Sequence, residues 1–104
     1  MSQKKFDDFF NLLQIEEKIF KFKSMYHPDL ISNLSKEGYD LYSVRTSIAD
    51  QLLEEIKNSK RNLKTVKNFI IKKVKEIEHK RQETKDEMQL KFIDLSLEEW
   101  RKFL

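Results

Sequence analysis

The apolar residues of this chain recur every three or four positions, which is the spacing of one face of an α-helix. The pattern predicts a first helix at about Gln3–Leu13 and a second at about Ile15–Tyr26. The first apolar face comprises Phe6, Phe9, Phe10 and Leu13, and the second comprises Ile15, Ile19, Phe22 and Tyr26. Pro28 disfavours helical geometry in the residue before it, so we expect the second helix to end at His27.

A loop and a third helix follow. The loop is predicted over His27–Gly38, which holds the only proline and the only glycine of the chain. The third helix is predicted over residues 40–57, and its apolar face comprises Leu41, Val44, Ile48, Leu52 and Ile56. We expect the second and third helices to lie antiparallel across the loop, with Ile15, Ile19, Phe22 and Tyr26 against Val44, Ile48, Leu52 and Ile56.

The C-terminal part repeats the helical spacing at Leu63, Val66, Ile70, Val74 and Ile77. Residues 58–62 weaken the pattern, and both a break and one long continuous helix are compatible with it. Residues 81–87 are polar, as in a solvated helix or a loop. Ser96 opens a capping-box pattern, which predicts a short final helix whose Trp100 and Phe103 pack back on the bundle. We therefore divide the chain into a helical hairpin, 1–62, and a C-terminal helical segment, 63–104.

Composition narrows the fold class. The chain has 104 residues, and the single glycine and single proline exclude folds that depend on glycine-rich turns, so we predict an all-α protein. The absence of cysteine excludes a disulfide scaffold and a zinc ribbon, and it fits a reducing compartment. We see neither a membrane span nor a presequence, and we expect the cytoplasm or a mitochondrial or relict-organelle matrix.

Candidate catalytic groups are few. His27 and His79 lie far apart in the sequence, and no nucleophile motif accompanies either of them. The adjacent carboxylates are interpreted as solvated helix faces, because neighbouring helix residues point to different sides; these pairs are Glu16-Glu17, Glu54-Glu55 and Glu98-Glu99. We therefore expect no enzyme activity, no cofactor and no metal site.

A basic stretch is the strongest bias in the composition. Residues 57–81 hold ten Lys and Arg against two Glu, a net charge of +8, which leaves −5 for the rest of the chain. Such a stretch can bind nucleic acid or an acidic membrane. Its basic residues surround the helix, however, and Phe69 is the only aromatic residue among them. This favours a solvated face, or a docking surface for an acidic partner, over nucleic acid.

The sequence Tyr26-His27-Pro28-Asp29 resembles the His-Pro-Asp loop of J-domain co-chaperones, which follows a basic helix ending in Tyr. Upstream, Asp8–Ile15 is similar to the short first helix of J-domains. Downstream, Asp50–Arg61 is similar to their third helix. The longer spacing between loop and third helix resembles the HscB-like J-proteins of iron–sulfur cluster assembly, of which this chain would be a divergent, reduced member.

The resemblance implies a co-chaperone that stimulates the ATPase of a DnaK-type chaperone. The residues that would bind this partner are His27, Pro28, Asp29, Lys18, Lys21 and Lys23. Asp29 would accept a hydrogen bond from an Arg of the partner, and the three lysines would face its acidic patch. The C-terminal helices would hold the client, which in the iron–sulfur type is the cluster scaffold protein.

Two other functions stay open. A non-enzymatic helical subunit of a larger assembly needs no motif, and it gains support if one helix runs unbroken from Tyr39 past Ile77, because the apolar residues then approach a heptad seam. A basic nucleic-acid-binding module is the third alternative.

Overall fold

The computed structural model describes the backbone of residues 3–104 and the side chains of residues 7–104. The backbone of this range is helical with no β-strand, which confirms the all-α prediction. The helices described are α1 (Gln3–Ser24), α2 (Pro28–Ile31), α3 (Lys36–Asn58), α4 (Leu63–Glu83) and α5 (Glu87–Arg101). Four of them, α1, α3, α4 and α5, contribute to one continuous apolar core.

The N-terminal segment is one helix, so the prediction of two separate helices over residues 3–13 and 15–26 is wrong. No glycine or proline lies near residue 14, and nothing in the backbone ends α1 before Ser24. Three residues expected on the first apolar face are exposed, namely Phe9, Phe10 and Leu13, while Phe6 lies outside the described side chains. The buried stripe of α1 instead consists of Leu12, Ile15 and Ile19. Because α1 is one helix, only one of the two apolar stripes can face α3.

The expected antiparallel pairing of the second and third predicted helices is confirmed for α1 and α3. Ile15 and Ile19 lie in the same core cluster as the α3 residues Val44, Ile48, Leu52 and Ile56. Phe22 is half-buried against that cluster, and the Tyr26 ring meets Tyr42 edge-on at 4.9 Å between ring centroids. These contacts fix the end of α1 against the start of α3.

The connection between α1 and α3 is shorter than the predicted loop over His27–Gly38. It contains the single turn α2, and α3 begins at Lys36 rather than near residue 40. Ser35 is the reason, because its hydroxyl oxygen accepts the Gly38 backbone N–H at 3.1 Å and so caps the helix earlier.

A break separates α3 from α4 at the weak stretch 58–62, which excludes one helix running from Tyr39 past Ile77. Lys60 and Arg61 adopt left-handed backbone conformations, with φ of 55° and 63°. The Arg61 N–H donates to the Ile56 carbonyl at 2.9 Å and the Lys60 N–H to the Lys57 carbonyl at 3.2 Å. These two bonds form a Schellman motif. The Asn62 side chain then caps α4 by accepting the Thr65 N–H at 3.0 Å.

The final helix begins earlier than predicted. Asp86 caps α5 by accepting the backbone N–H groups of Met88 and Gln89, so Ser96 lies inside the helix and caps nothing. The start of α5 therefore falls at the end of the polar stretch 81–87. Trp100 and Phe103 are each only 4% exposed, which confirms that they pack on the bundle. Phe103 contacts Phe22 of α1 with ring centroids 5.4 Å apart.

Candidate functional site

The turn after α1 presents His27, Pro28 and Asp29 to solvent. The side chains of His27 and Asp29 are 68% and 92% exposed. His27 is the N-cap of α2 in extended conformation, and its Nδ1 accepts the Asp29 backbone N–H at 3.3 Å. Pro28 occupies the first position of α2, where its fixed φ suits a helix start and its missing N–H costs nothing. The imidazole and the carboxylate thus project together from one helical turn.

Local hydrogen bonds close the far side of this turn. The Asp29 carbonyl accepts the Ser32 hydroxyl at 3.0 Å and the Asn33 side-chain amide at 3.1 Å. The Asp29 carboxylate takes no part in these bonds, and its Oδ2 lies 3.5 Å from His27 Nδ1. The backbone of the turn is therefore held in place while its carboxylate stays available to a partner.

A buried ionic network anchors the base of the turn. Arg45 of α3 reaches Glu99 of α5 through two hydrogen bonds of 3.3 Å and donates a third, of 3.2 Å, to the Tyr26 hydroxyl. The Glu99 side chain is only 3% exposed, and Lys102 Nζ also donates to it at 2.9 Å. The expectation that Glu98-Glu99 is a solvated pair is therefore wrong for Glu99. The sequence signal was Arg45, a charge placed within the apolar stripe of α3.

This network stabilises the positive charge of Arg45. Burial alone lowers the pKa of its guanidinium, but the hydrogen bonds to Glu99 and Tyr26 outweigh that effect and raise the pKa above its ordinary value. The guanidinium also lies 5.2 Å from the centre of the Phe22 ring. The bidentate ion pair, which is mostly shielded from water, joins α3 to α5, and the contact with Phe22 adds α1.

The three lysines expected beside the turn point in different directions. Lys18 Nζ donates to the Lys102 carbonyl at 2.8 Å, so it lies against the end of α5. Lys21 pairs with Glu17 at 3.5 Å on the outer side of α1, and Lys23 pairs with Asp50 of α3 at 3.1 Å. A helix turns by about 100° per residue, which separates Lys18 from Lys23 by roughly 140°. The structure brings together His27 and Asp29, but it does not gather these lysines into one patch.

No cluster of three or more His, Cys, Asp or Glu occurs among residues 7–104 that could hold a metal ion. His79 pairs with Glu83 at 3.0 Å on the outer face of α4 and has no contact with His27. Within the described range, no helix is long and apolar enough to cross a membrane.

A groove of about 550 Å³ lies where the start of α3 meets the start of α5. It is lined by the apolar side chains of Leu41, Leu95 and Phe92 and by charged ones that include Lys36 and Lys91. Since two carboxylates line it as well, the groove has no net charge that would select a partner.

Comparison with known proteins gives no relative. Family models, curated proteins and solved structures were each searched, and none of them matches this chain.

Proposed function

We propose that this chain is a co-chaperone whose turn between α1 and α3 docks on a DnaK-type chaperone and stimulates its ATPase. The observation that carries the proposal is the joint exposure of His27 and Asp29 at the tip of two antiparallel helices. The same three residues, in the same order and between the same kind of helices, are the docking element of the J-domain family that the sequence resembles.

The turn has the properties that a docking element needs. Its backbone is fixed by Pro28 and by the hydrogen bonds to the Asp29 carbonyl, so little conformational entropy is lost when a partner binds. The free carboxylate of Asp29 suits a charge-assisted hydrogen bond from an Arg of the chaperone. His27 supplies a ring nitrogen beside it. The role of this protein is to position these groups, and the chaperone performs the chemistry.

Two lysines of α1 contribute to the approach of the partner. Lys21 and Lys23 remain 68% and 47% exposed despite their pairs with Glu17 and Asp50. Exposed pairs of this kind contribute about 0–1 kcal/mol, so a lysine can exchange its partner for a carboxylate of the chaperone at little cost. Their effect falls mainly on the association rate, which makes docking sensitive to salt. Lys18 keeps its hydrogen bond to the Lys102 carbonyl at the end of α5, and its positive charge still adds to the attraction of the partner.

The proposal rests on the turn and not on the whole family pattern. J-domains separate their first two helices by a loop, whereas α1 is continuous here. The finer part of the proposal assigns client binding to α4 and α5, with an iron–sulfur scaffold protein as the client. That assignment depends on the resemblance alone.

Single-turnover ATP hydrolysis by the cognate DnaK-type chaperone tests the proposal. We expect the wild-type protein to accelerate hydrolysis and His27→Gln to abolish the acceleration, because the imidazole contact is lost while the fold is kept. The matched control is His79→Gln, since His79 is exposed to a similar degree on α4 and should be replaceable. Failure of the wild-type protein to accelerate its own chaperone, or equal loss in both variants, would contradict the proposal.

A second candidate function is that of a helical subunit in a larger assembly. It is favoured by the outer side of α1, which leaves large apolar side chains in water: Phe9, Phe10, Leu13 and Phe20, the last of them 71% exposed. Apolar surface of this kind marks interaction sites. This function would be favoured if the wild-type protein sediments as an oligomer and Phe20→Glu dissociates it. The wild-type protein would then also fail to accelerate ATP hydrolysis by the chaperone.

A further inference from the structure

The helix α4 carries a surface of unpaired positive charge. Residues 57–75 contain eight Lys and Arg and no Asp or Glu. Two of the eight have carboxylate partners, Arg61 with Glu16 at 2.6 Å and Lys73 with Glu76 at 3.9 Å. Among the side chains that the structure describes, no carboxylate lies within ion-pair distance of the other six, which are all exposed: Lys57, Lys60, Lys64, Lys67, Lys72 and Lys75.

Four of these lysines lie on one side of the helix. The buried side of the helix carries Leu63, Val66, Ile70 and Val74, and Lys67 lies at the edge of that side. At about 100° per residue, Lys64, Lys67, Lys72 and Lys75 fall within an arc of roughly 140°, and they span about 17 Å along the axis. We call these four residues the α4 lysine face. The sequence showed basic residues all round this helix, and the tertiary structure separates the paired Lys73 from the unpaired face.

Like charges at this spacing repel one another. Lys64 and Lys67 are three residues apart on the helix, as are Lys72 and Lys75, and such neighbours lie within the screening length of about 8 Å at physiological salt. Their repulsion is therefore only partly screened. Glu76 lies on the same helix, four residues from Lys72, but it pairs with Lys73, and no carboxylate among the described side chains lies within ion-pair distance of the face. An anionic partner that replaces the counterions of the face removes this repulsion, and release of those counterions contributes to binding.

We propose that the α4 lysine face binds the phosphate backbone of a duplex nucleic acid, without regard to sequence. A helix with its side chains is about 10–12 Å wide, and the major groove of a DNA duplex is about 12 Å wide, so α4 fits against the phosphates that flank the groove. Lysine presents a point charge on a flexible stem, which suits phosphates and does not read bases.

The composition of the face argues against other partners. Single-stranded nucleic acid needs exposed rings for base stacking, but Phe69 is half-buried and its ring packs 6.1 Å from that of Trp100. A membrane surface needs a row of apolar side chains, and Ile71 is the only large exposed one between Lys64 and Lys75. Protein interfaces are depleted in lysine and depend on aromatic or arginine anchors, which the face lacks.

Fluorescence anisotropy with a labelled duplex of about 20 base pairs, as DNA and as RNA, tests the proposal. We expect a dissociation constant of roughly 1–100 µM near physiological salt, as is typical of sequence-independent binding. If four phosphates are neutralised, affinity should fall roughly 100-fold between about 50 mM and about 200 mM salt. No binding to either duplex at the lower salt concentration would overturn the proposal.

Two matched variants distinguish the effect of the α4 lysine face on binding from the effect of the net charge. The first replaces Lys64, Lys67, Lys72 and Lys75 by Gln. The control replaces Lys36, Lys80, Lys85 and Lys91, which are also exposed, by Gln and so removes the same total charge. We expect the first variant to lose roughly tenfold or more in affinity and most of its salt dependence, while the control keeps most of both. Fluorescence of the buried Trp100 verifies that both variants are folded.

Three outcomes would overturn the assignment. Equal losses in the two variants would mean that net charge and not the face binds the duplex. Tighter binding to vesicles containing phosphatidylserine would assign the face to a membrane, and tighter binding to polyglutamate would assign it to an acidic protein. Since His27 and Asp29 lie on another helix, the ATPase assay and this binding assay can fail independently of each other.

Discussion

The two connections that flank α3 are built in different ways. The turn from α3 to α4 is closed mainly by its own residues, through the Schellman bonds of Lys60 and Arg61 and the side-chain cap from Asn62. One ion pair, between Arg61 and Glu16, links it to α1. The connection from α1 to α3 has local hydrogen bonds too, but it is also held by distant residues, because Tyr26 is bonded to Arg45 and Arg45 to Glu99 of α5. Arg45 and Glu99 are 54 positions apart in the sequence.

The difference shows how a turn can be exposed and still be well positioned. A turn stabilised mainly by its own residues, with one partly exposed ion pair to another helix, should depend little on the rest of the bundle. When a turn is stabilised by distant residues, a change in α5 alters the stability of that turn. The connection that carries the proposed docking residues is of the second kind, so its stability should depend on α5 far more than that of the α3–α4 turn does.

The largest effect is expected from Glu99→Ala. Removing one partner of a buried ion pair typically costs about 3–5 kcal/mol of unfolding free energy, because the remaining charge is left without its match. The neighbouring Lys102 also loses its acceptor. Urea unfolding followed by Trp100 fluorescence measures the change.

The control for that substitution is the adjacent Glu98→Ala. Glu98 is exposed, so we expect the free energy of unfolding to change by about 0.5 kcal/mol or less. In the Glu99 variant, hydrogen exchange should rise more at residues 25–35 than at residues 59–62. An equal rise in hydrogen exchange at the two connections would show that the α1–α3 connection does not depend on the network.

A smaller effect of opposite sign is expected at the α3–α4 turn. Lys60 adopts φ 55°, a conformation that costs a side-chain-bearing residue roughly 1–2 kcal/mol and glycine almost nothing. Lys60→Gly should therefore stabilise the protein by up to about 1 kcal/mol, since the freedom glycine adds to the unfolded chain offsets part of the gain. The shift in urea midpoint measures it.

Lys57→Gly is the matched control, because Lys57 is an exposed lysine in the last turn of α3. Glycine in a helix costs about 0.5–1 kcal/mol relative to alanine, so this variant should be less stable than wild type. If both substitutions destabilise the protein, the left-handed conformation of Lys60 is not a source of strain.

The smallest effect is expected from His27→Ser. Serine keeps the ability to cap α2 and removes the imidazole, and His27 contributes no buried surface. The unfolding free energy should change by about 0.5 kcal/mol or less. A loss well above that value would mean that His27 stabilises the fold, and the effect of His27 substitutions on the ATPase could then not be assigned to docking.

Helical periodicity predicted much of the core correctly. Val44, Ile48, Leu52 and Ile56 of α3, and Leu63, Val66, Ile70 and Val74 of α4, are buried as the spacing predicted. It failed in α1, where Leu12 and not Leu13 is buried, because two overlapping apolar patterns compete there and only packing against α3 selects one of them. It also failed at the start of α5, where the cap at Asp86 was overlooked in favour of Ser96.

For the candidate site, the sequence identified the turn but not its support. Pro28 after a helix with apolar spacing is sufficient to predict an exposed turn at His27-Pro28-Asp29, because proline ends a helix by local sterics. The sequence could not show that Lys18, Lys21 and Lys23 diverge, since each contacts a different partner: the end of α5, Glu17 and Asp50.

The sequence by itself determined the helical class, the break at Pro28 and the apolar stripes of α3 and α4, because each depends on residues within a few positions of one another. Only the tertiary structure decided that Glu99 is buried with Arg45 while Glu98 faces water. It likewise decided that Lys21 and Lys23 of α1 pair with carboxylates, while the α4 lysine face has no such partner among the described side chains. The physical reason is that burial and ion pairing depend on which distant helix lies opposite a side chain, and helical periodicity carries no information about that neighbour.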